Sequence, residues 1–214
     1  MRLFSYWRSG TSYRVRLALA LKGAACEIVP VNLLKREHKS SAFLSINPQG
    51  LVPSLALDDG TFLSQSPAII EYIDETLSGP KLFPDDPAKR AMVRQMAAVI
   101  GSDVHPLQNL RVLNYLRDHL GHDDGAVGEW AREWIGAGFA ALEQLAVEAA
   151  PDGTYLSGED VTAAECYLLP QLYGARRYGL DLTPYPRLLA VEDAVQALPA
   201  AKAAHPSAQP DAAE

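Results

Sequence analysis

Trp7-Arg8-Ser9-Gly10-Thr11-Ser12-Tyr13-Arg14-Val15-Arg16-Leu17 is the stretch that decides how the rest of this chain is read. Before it, Leu3, Phe4 and Tyr6 predict a short buried strand. After it, Val15, Leu17, Ala18, Leu19 and Leu21 keep an apolar helical face until Gly23 ends the run. The small hydroxyl residues between them make a strand-to-helix turn, which aims backbone N–H groups and the positive end of a helix dipole outward and so favours an anion. A lone Ser or Thr here is more often a plain helix cap. The basic company changes the balance: Arg8 stands beside the hydroxyls, and Arg14 and Arg16 fall in the first helical turns, where the dipole does not favour cations. The loop is expected to receive something negative.

Working outward, Glu27-Ile28-Val29-Pro30-Val31-Asn32 predicts a second strand, which makes a βαβ unit. Leu33 to His38 is a charged loop, and Ser40 to Ile46 a short helix stopped by the turn residues Asn47-Pro48-Gln49-Gly50. Leu51 to Leu57 is a third strand in which Pro53, unable to donate to a ladder, marks the first strand residue and invites a cis bond. Asp58-Asp59-Gly60 turns the chain into Thr61-Phe62-Leu63. Ser66 then reads as the cap, and Pro67 as the first residue, of an amphipathic helix carrying Ile69, Ile70, Tyr72, Ile73 and Leu77. The expected organisation is a βαβαββα domain over 1–78, a linker over 79–88 rich in Pro and Gly, and an all-helical domain over 89–214: an α/β plus all-α fold. Helical runs are predicted from Arg90 to Ile100, on to His119, and over Val127–Val147, Ala163–Tyr178 and Leu188–Leu198, with Thr162 and Glu165 as a capping box. Pro206 to Glu214 is expected to lie loosely on the surface.

With 48% hydrophobic and 21% charged residues, the 214-residue chain has the composition of a globular protein, and no apolar run approaches the roughly 20 residues of a membrane span. No secretory pattern follows Met1-Arg2, so a cytoplasmic location is expected. A net charge of −7 argues against nucleic-acid or anionic-membrane partners. Cys26 and Cys166 stand too far apart in sequence to suggest a disulfide framework or a zinc site. His119 and His122 near Asp123 are interrupted by Gly121, and no metal is expected.

The run Tyr6 to Leu19 resembles the amino-terminal signature of the zeta class of glutathione transferases. Further matches are Asn47-Pro48-Gln49 with Val52-Pro53, Gln65-Ser66-Pro67-Ala68-Ile69-Ile70-Glu71-Tyr72, His105-Pro106-Leu107-Gln108-Asn109, and Asp181-Leu182-Thr183-Pro184-Tyr185-Pro186. Many members carry Ser-Ser-Cys where this chain has Ser9-Gly10-Thr11, which leaves hydroxyl chemistry in place of a protein thiol.

The resemblance implies a thioredoxin-like first domain, glutathione as cofactor, a homodimer, and cis–trans isomerisation of a maleyl dioxo-dicarboxylate by reversible thiolate addition. Maleylacetoacetate is the leading substrate and maleylpyruvate the runner-up. It implies that Ser9 or Thr11 donates to the glutathione sulfur, with Arg8 beside them. The Val52 backbone before Pro53 would meet the cysteinyl part, and Gln65 and Ser66 the γ-glutamyl carboxylate, with Gln49 and His38 as weaker contacts. Asp103 would reach the glutathione of the opposite subunit. His105 and Asn109 would border the cofactor, while Arg8, His105, Arg111 and Arg177 would hold the dicarboxylate and Arg176 would be a solvated neighbour. A thiol–disulfide oxidoreductase would need Cys-x-x-Cys where Ser9 to Ser12 stands. The same fold would also serve a conjugating transferase, including one acting on small halogenated acids, or a non-enzymatic binding protein.

Overall fold

Arg2–Ser5 (β1) pairs in parallel with Glu27–Pro30 (β2), Leu3 opposite Ile28. A parallel pair needs a crossover, and Gly10–Leu21 (α1) supplies it. On its other side β1 runs antiparallel to Ser54–Ala56 (β3), which pairs antiparallel with Phe62–Ser64 (β4), giving the strand order β2-β1-β3-β4. Ser41–Ile46 (α2) sends Phe43 under the sheet, where its ring meets Phe4 edge-on among Tyr6, Val31, Val52 and Ala56. The Val52–Pro53 bond is cis, as expected, but the strand begins one residue later than expected, at Ser54.

α1 departs from the amphipathic helix its sequence suggests, since every residue from Ser12 to Leu19 is buried. Ser66–Thr76 (α3) and Pro199–Ala204 (α10) both pack on it. Each large apolar side chain so enclosed contributes roughly 1.5–3 kcal/mol, and Gly23, at φ 65°, ends the run. α3 is also displaced by one residue from expectation. Gln65, at φ 70° and ψ 114°, holds the capping position, and Ser66 is the first helical residue.

The computed structural model describes residues 1–212, and the chain divides into two units. One is Met1–Phe83 together with the described residues from Gln196 onward, and the other is Pro84–Val195. The connector belongs to the first unit as far as Phe83, because the Asp74 carboxylate accepts the Leu82 and Phe83 amides at 2.7 and 3.0 Å while pairing with Lys22 Nζ at 3.1 Å. The expectation of a loose tail is corrected by the described residues. Pro206–Ala208 forms a 3-10 turn, the Gln209 side chain donates to the carbonyls of Ala203 and His205, and Asp211 is buried. The last two residues of that stretch lie outside those described.

In the second unit, Pro87–Ala98 (α4), capped by Asp86, packs on Ala163–Arg177 (α8). At Asp103-Val104-His105-Pro106 the helical run is broken by a π-helical turn over Val99–Val104 followed by a single turn His105–Leu107 (α5), because Pro106 cannot donate to the preceding carbonyls. Leu110–Asp118 (α6) starts afresh from Asn109. Asp124–Ala149 (α7) buries Val127, Ala131, Ile135, Phe139, Leu142 and Ala146 along one stripe. Gly138 on α7 lets the π turn approach, since a Cβ there would overlap Val104. The Thr162–Glu165 capping box opens α8 as predicted, and Pro186–Ala197 (α9) follows. No helix among the described residues is long and apolar enough to cross a membrane.

Candidate active site

In the first unit the hydroxyl turn is built by α1's own cap. Ser9 Oγ accepts the Ser12 amide at 3.3 Å and lies 3.0 Å from Thr11 Oγ1, which donates to the Val52 carbonyl at 2.9 Å. A carbonyl only accepts, so the single Thr11 proton is committed to Val52 and Ser9 is the donor between the two hydroxyls. The Ser9 proton is therefore the one able to turn to another acceptor while the Thr11–Val52 bond stays intact.

Of the three arginines near this turn, only Arg8 remains on the loop surface, half-buried with its guanidinium 5.3 Å from the centre of the Trp7 ring. Arg14 and Arg16, the two helical arginines that gave the turn its basic company, are 2% and 4% exposed and so lie inside the fold. Arg16 is directed at the chain itself, donating to Ser5 Oγ and to the carbonyls of Tyr6, Trp7 and Ala204. Arg14 reaches Ser66 Oγ at 3.4 Å, behind the first turn of α3.

Gln49 and Gln65 come together, the amide of Gln65 donating to Gln49 Oε1 at 2.7 Å. Asn47 sets the Gln49 turn by accepting the Gln49 amide and donating to the Leu51 carbonyl. Lys39 Nζ donates to the carbonyl of Gly50, whose left-handed backbone leaves no room for a Cβ against the His38 carbonyl. Burial, then the charges of Lys39 and Arg36, hold the His38 imidazole below its ordinary pKa, so the ring is neutral at neutral pH.

In the second unit the structure gathers His105, Gln108, Asn109 and Gln171. Asn109 Oδ1 caps α6 by accepting the Arg111 amide at 3.1 Å, which leaves its amide nitrogen facing His105 Nε2 at 3.5 Å. Gln108 Nε2 donates to Gln171 Oε1 at 3.0 Å and lies 3.4 Å from His105 Nδ1. Asp103, on the π turn, and the side chains of Arg111 and Arg177 are exposed. Arg176 is exposed, as expected of a solvated neighbour, and is paired as well: its two terminal nitrogens meet both carboxylate oxygens of the buried Glu192, and that partner raises the guanidinium pKa.

Residues 1–75 match the family model of the glutathione S-transferase N-terminal domain, and residues 128–194 that of the C-terminal domain. A maleylpyruvate isomerase from a Ralstonia species is 49% identical over the full length of both chains. The chain belongs to the glutathione S-transferase family, in the Zeta class. A maleylacetoacetate isomerase from Pseudomonas aeruginosa is 48% identical over 99% of this chain and 98% of its own. Among solved structures, a holo maleyl pyruvate isomerase described as a bacterial glutathione-S-transferase of the Zeta class superposes with a TM-score of 0.96 at 47% identity, covering 99% of each chain. A maleylacetoacetate isomerase from Methylobacterium extorquens, solved with bound malonate and GSH, gives 0.94 at 37% identity over 98% of each chain.

Sequence patterns missed three groups of this transferase. Gln171 lies on a helix whose first ten residues are all buried, so no polar face set it apart, although a Gln in so apolar a run is itself a signal that it has a partner. The inward turn of Arg16 has no local signal, because its partners include Ala204, 188 residues away. Asp211 belongs to no motif, yet its carboxylate accepts the Trp7 amide at 2.9 Å.

Proposed function

We propose that the chain is a glutathione-dependent cis–trans isomerase of a maleyl dioxo-dicarboxylate, maleylacetoacetate or maleylpyruvate. The observation that carries this is the hydroxyl pair Ser9–Thr11 at the start of α1, anchored to Val52, in a chain nearly half identical throughout its length to enzymes named for both substrates.

The residues fit glutathione. Ser66, at the first turn of an 11-residue helix and backed by the Arg14 guanidinium, suits a carboxylate, and Gln65 stands beside it with its backbone turned into the left-handed region. Ser9, at the cap of α1, suits a thiolate, whose reference pKa is about 8.5. Bound glutathione supplies the thiol that adds reversibly to the double bond, allowing rotation.

The chain's own groups then have distinct roles. Ser9 turns its proton from Thr11 to the sulfur and holds it ionised, while Thr11 keeps the Val52 backbone in place. Arg8 meets negative charge that develops on a substrate oxygen. Gln65 and Ser66 hold the γ-glutamyl carboxylate, with Gln49 orienting Gln65 and His38 as a weaker contact. On the helical unit, His105 and Asn109 border the cofactor, and Arg111 and Arg177 take substrate carboxylates in two-point geometry. Asp103 serves the glutathione of the opposite protomer in a cytoplasmic homodimer. The malonate and citrate bound by solved relatives support a pocket for small polycarboxylates.

Initial rates on the two cis acids, with glutathione present and absent, test this reading. Glutathione-dependent formation of the trans acid from either is expected. Halide release from a chlorinated acid with no isomerisation of either maleyl compound would assign the chain to conjugation instead.

A further inference from the structure

Immediately before Arg8, the chain leaves β1 and must pass through a tight bend whose polar groups are withdrawn from water. The Tyr6 carbonyl accepts the Ser9 amide at 3.0 Å and Arg16 at 3.3 Å. The Trp7 carbonyl accepts the other terminal nitrogen of Arg16 at 2.9 Å. That leaves the Trp7 amide, and its partner is Asp211 Oδ2 at 2.9 Å, 204 residues further along the chain.

Arg16 is tied to the same end of the protein, since its Nε donates to the Ala204 carbonyl at the close of α10. The path from α10 to Asp211 is fixed as well. His205 Nδ1 accepts the Ser207 amide, the Gln209 side chain returns to the carbonyls of Ala203 and His205, and Asp211 is only 6% exposed. The bend bearing Arg8 and Ser9 is thus held from both sides of the peptide at Trp7, and in each case the hold leads to the last dozen or so described residues.

We propose that Asp211 is a positioning residue of the active site: the carboxy-terminal segment is a strap whose carboxylate fixes the Trp7 amide and thereby sets where Arg8 and Ser9 stand. It acts through the backbone, touching neither cofactor nor substrate, and the proposal rests on the glutathione-dependent reading given above. What the geometry requires of Asp211 is an acceptor oxygen at that place. Charge is secondary, so Asp211→Asn, which keeps a carbonyl oxygen, retains the function, and Asp211→Ala loses it. Displacing a catalytic loop by a fraction of an ångström is enough to slow a reaction that depends on alignment.

The test compares D211A and D211N with the wild-type chain by three measurements: exchange of the Trp7 amide by NMR, the ionisation of bound glutathione by its ultraviolet thiolate absorbance, and the kinetics on the cis acid. In D211A the Trp7 amide is expected to exchange at least about tenfold faster than in the wild type. The bound thiol should ionise at higher pH, and kcat/KM for the dicarboxylate should fall about tenfold, with the dissociation constant of glutathione changed much less. D211N should stay close to the wild type in all three, and both variants should melt within a few degrees of it. Unchanged Trp7 exchange in D211A, a D211N as impaired as D211A, or a D211A chain that does not fold would each overturn the proposal. The amide measurement needs no glutathione. A wild-type chain that binds none would therefore refute the functional reading, while the strap is judged on Trp7 exchange alone.

Discussion

The Thr11 hydroxyl donates to the Val52 carbonyl at 2.9 Å, joining the first turn of α1 to the residue before the cis proline, 41 positions away. This bond divides the labour between two hydroxyls that sequence alone leaves equivalent. Ser9 keeps a transferable proton and Thr11 does not. Ser9→Ala is accordingly expected to lower kcat by about 10²–10³, the usual effect of removing one donor to developing or resident negative charge. Thr11→Val should instead cost about 1 kcal/mol of stability through the lost bond to Val52, with a smaller kinetic effect. Steady-state kinetics and urea unfolding of the two variants measure this, and a Thr11→Val enzyme slower than Ser9→Ala would reverse the assignment.

Arg176 and Arg177 are neighbours in sequence with opposite fates. Arg176 meets both oxygens of Glu192, whose side chain is 4% exposed, while its own is 48% exposed. Removing it strands a buried carboxylate, so Arg176→Ala should destabilise the protein by roughly 1–3 kcal/mol, a value discounted for the solvent around the guanidinium. Its effect on the Michaelis constants should be small. Arg177→Ala should leave the melting temperature near wild type and raise the KM of the dicarboxylate more than that of glutathione. Equal effects on the two constants would remove Arg177 from the substrate clamp.

Lys22 and Asp74 form an ion pair whose side chains are 1% and 8% exposed. The same carboxylate accepts two amides of the connector, at Leu82 and Phe83. Asp74→Ala leaves a buried ammonium and two amides without their acceptor, and a loss of about 3–5 kcal/mol is expected from denaturant unfolding. A loss below about 1 kcal/mol would show that water replaces the carboxylate.

His38 should titrate below its ordinary value of 6.5. Its folded pKa is depressed by burial and by nearby cations, so in the window just below 6.5 the unfolded chain binds more protons than the folded one. Stability therefore rises with pH through that window and is lost as the pH falls through it. NMR titration of the ring protons gives the midpoint directly, and a midpoint above 6.5 would contradict the environment described for this loop. The same depression means that the His38 ring is neutral at neutral pH.

Much of this is legible in the residues. The Trp7–Leu17 stretch announces the strand, cap and helix that carry the hydroxyl pair, and Asn47-Pro48-Gln49-Gly50 announces the turn that brings Gln49 to Gln65. Thr162 and Glu165 mark the start of α8. What stays hidden are facts set by distant partners or by backbone conformation. Arg14 and Arg16 resemble ligand groups because a cation near a helix start carries no mark of facing inward. The cap of α3 reads as Ser66 and not Gln65 because the left-handed turn at Gln65 cannot be inferred from a glutamine. The tail reads as loose from its Ala and Pro content, yet Asp211 and Gln209 find donors and acceptors that only the folded chain provides. Arg176 reads as solvated, which it is, but its pairing with Glu192 carries no mark in the sequence because the partner lies a helix away.

Use of glutathione as a recycled nucleophile to turn a cis double bond is tested by the fate of a substoichiometric amount of reduced glutathione mixed with excess cis acid and enzyme. Full conversion to the trans acid is expected, with all of the thiol recovered free. Conversion that halts once the thiol is consumed, or that proceeds equally well without it, would exclude a recycled thiol.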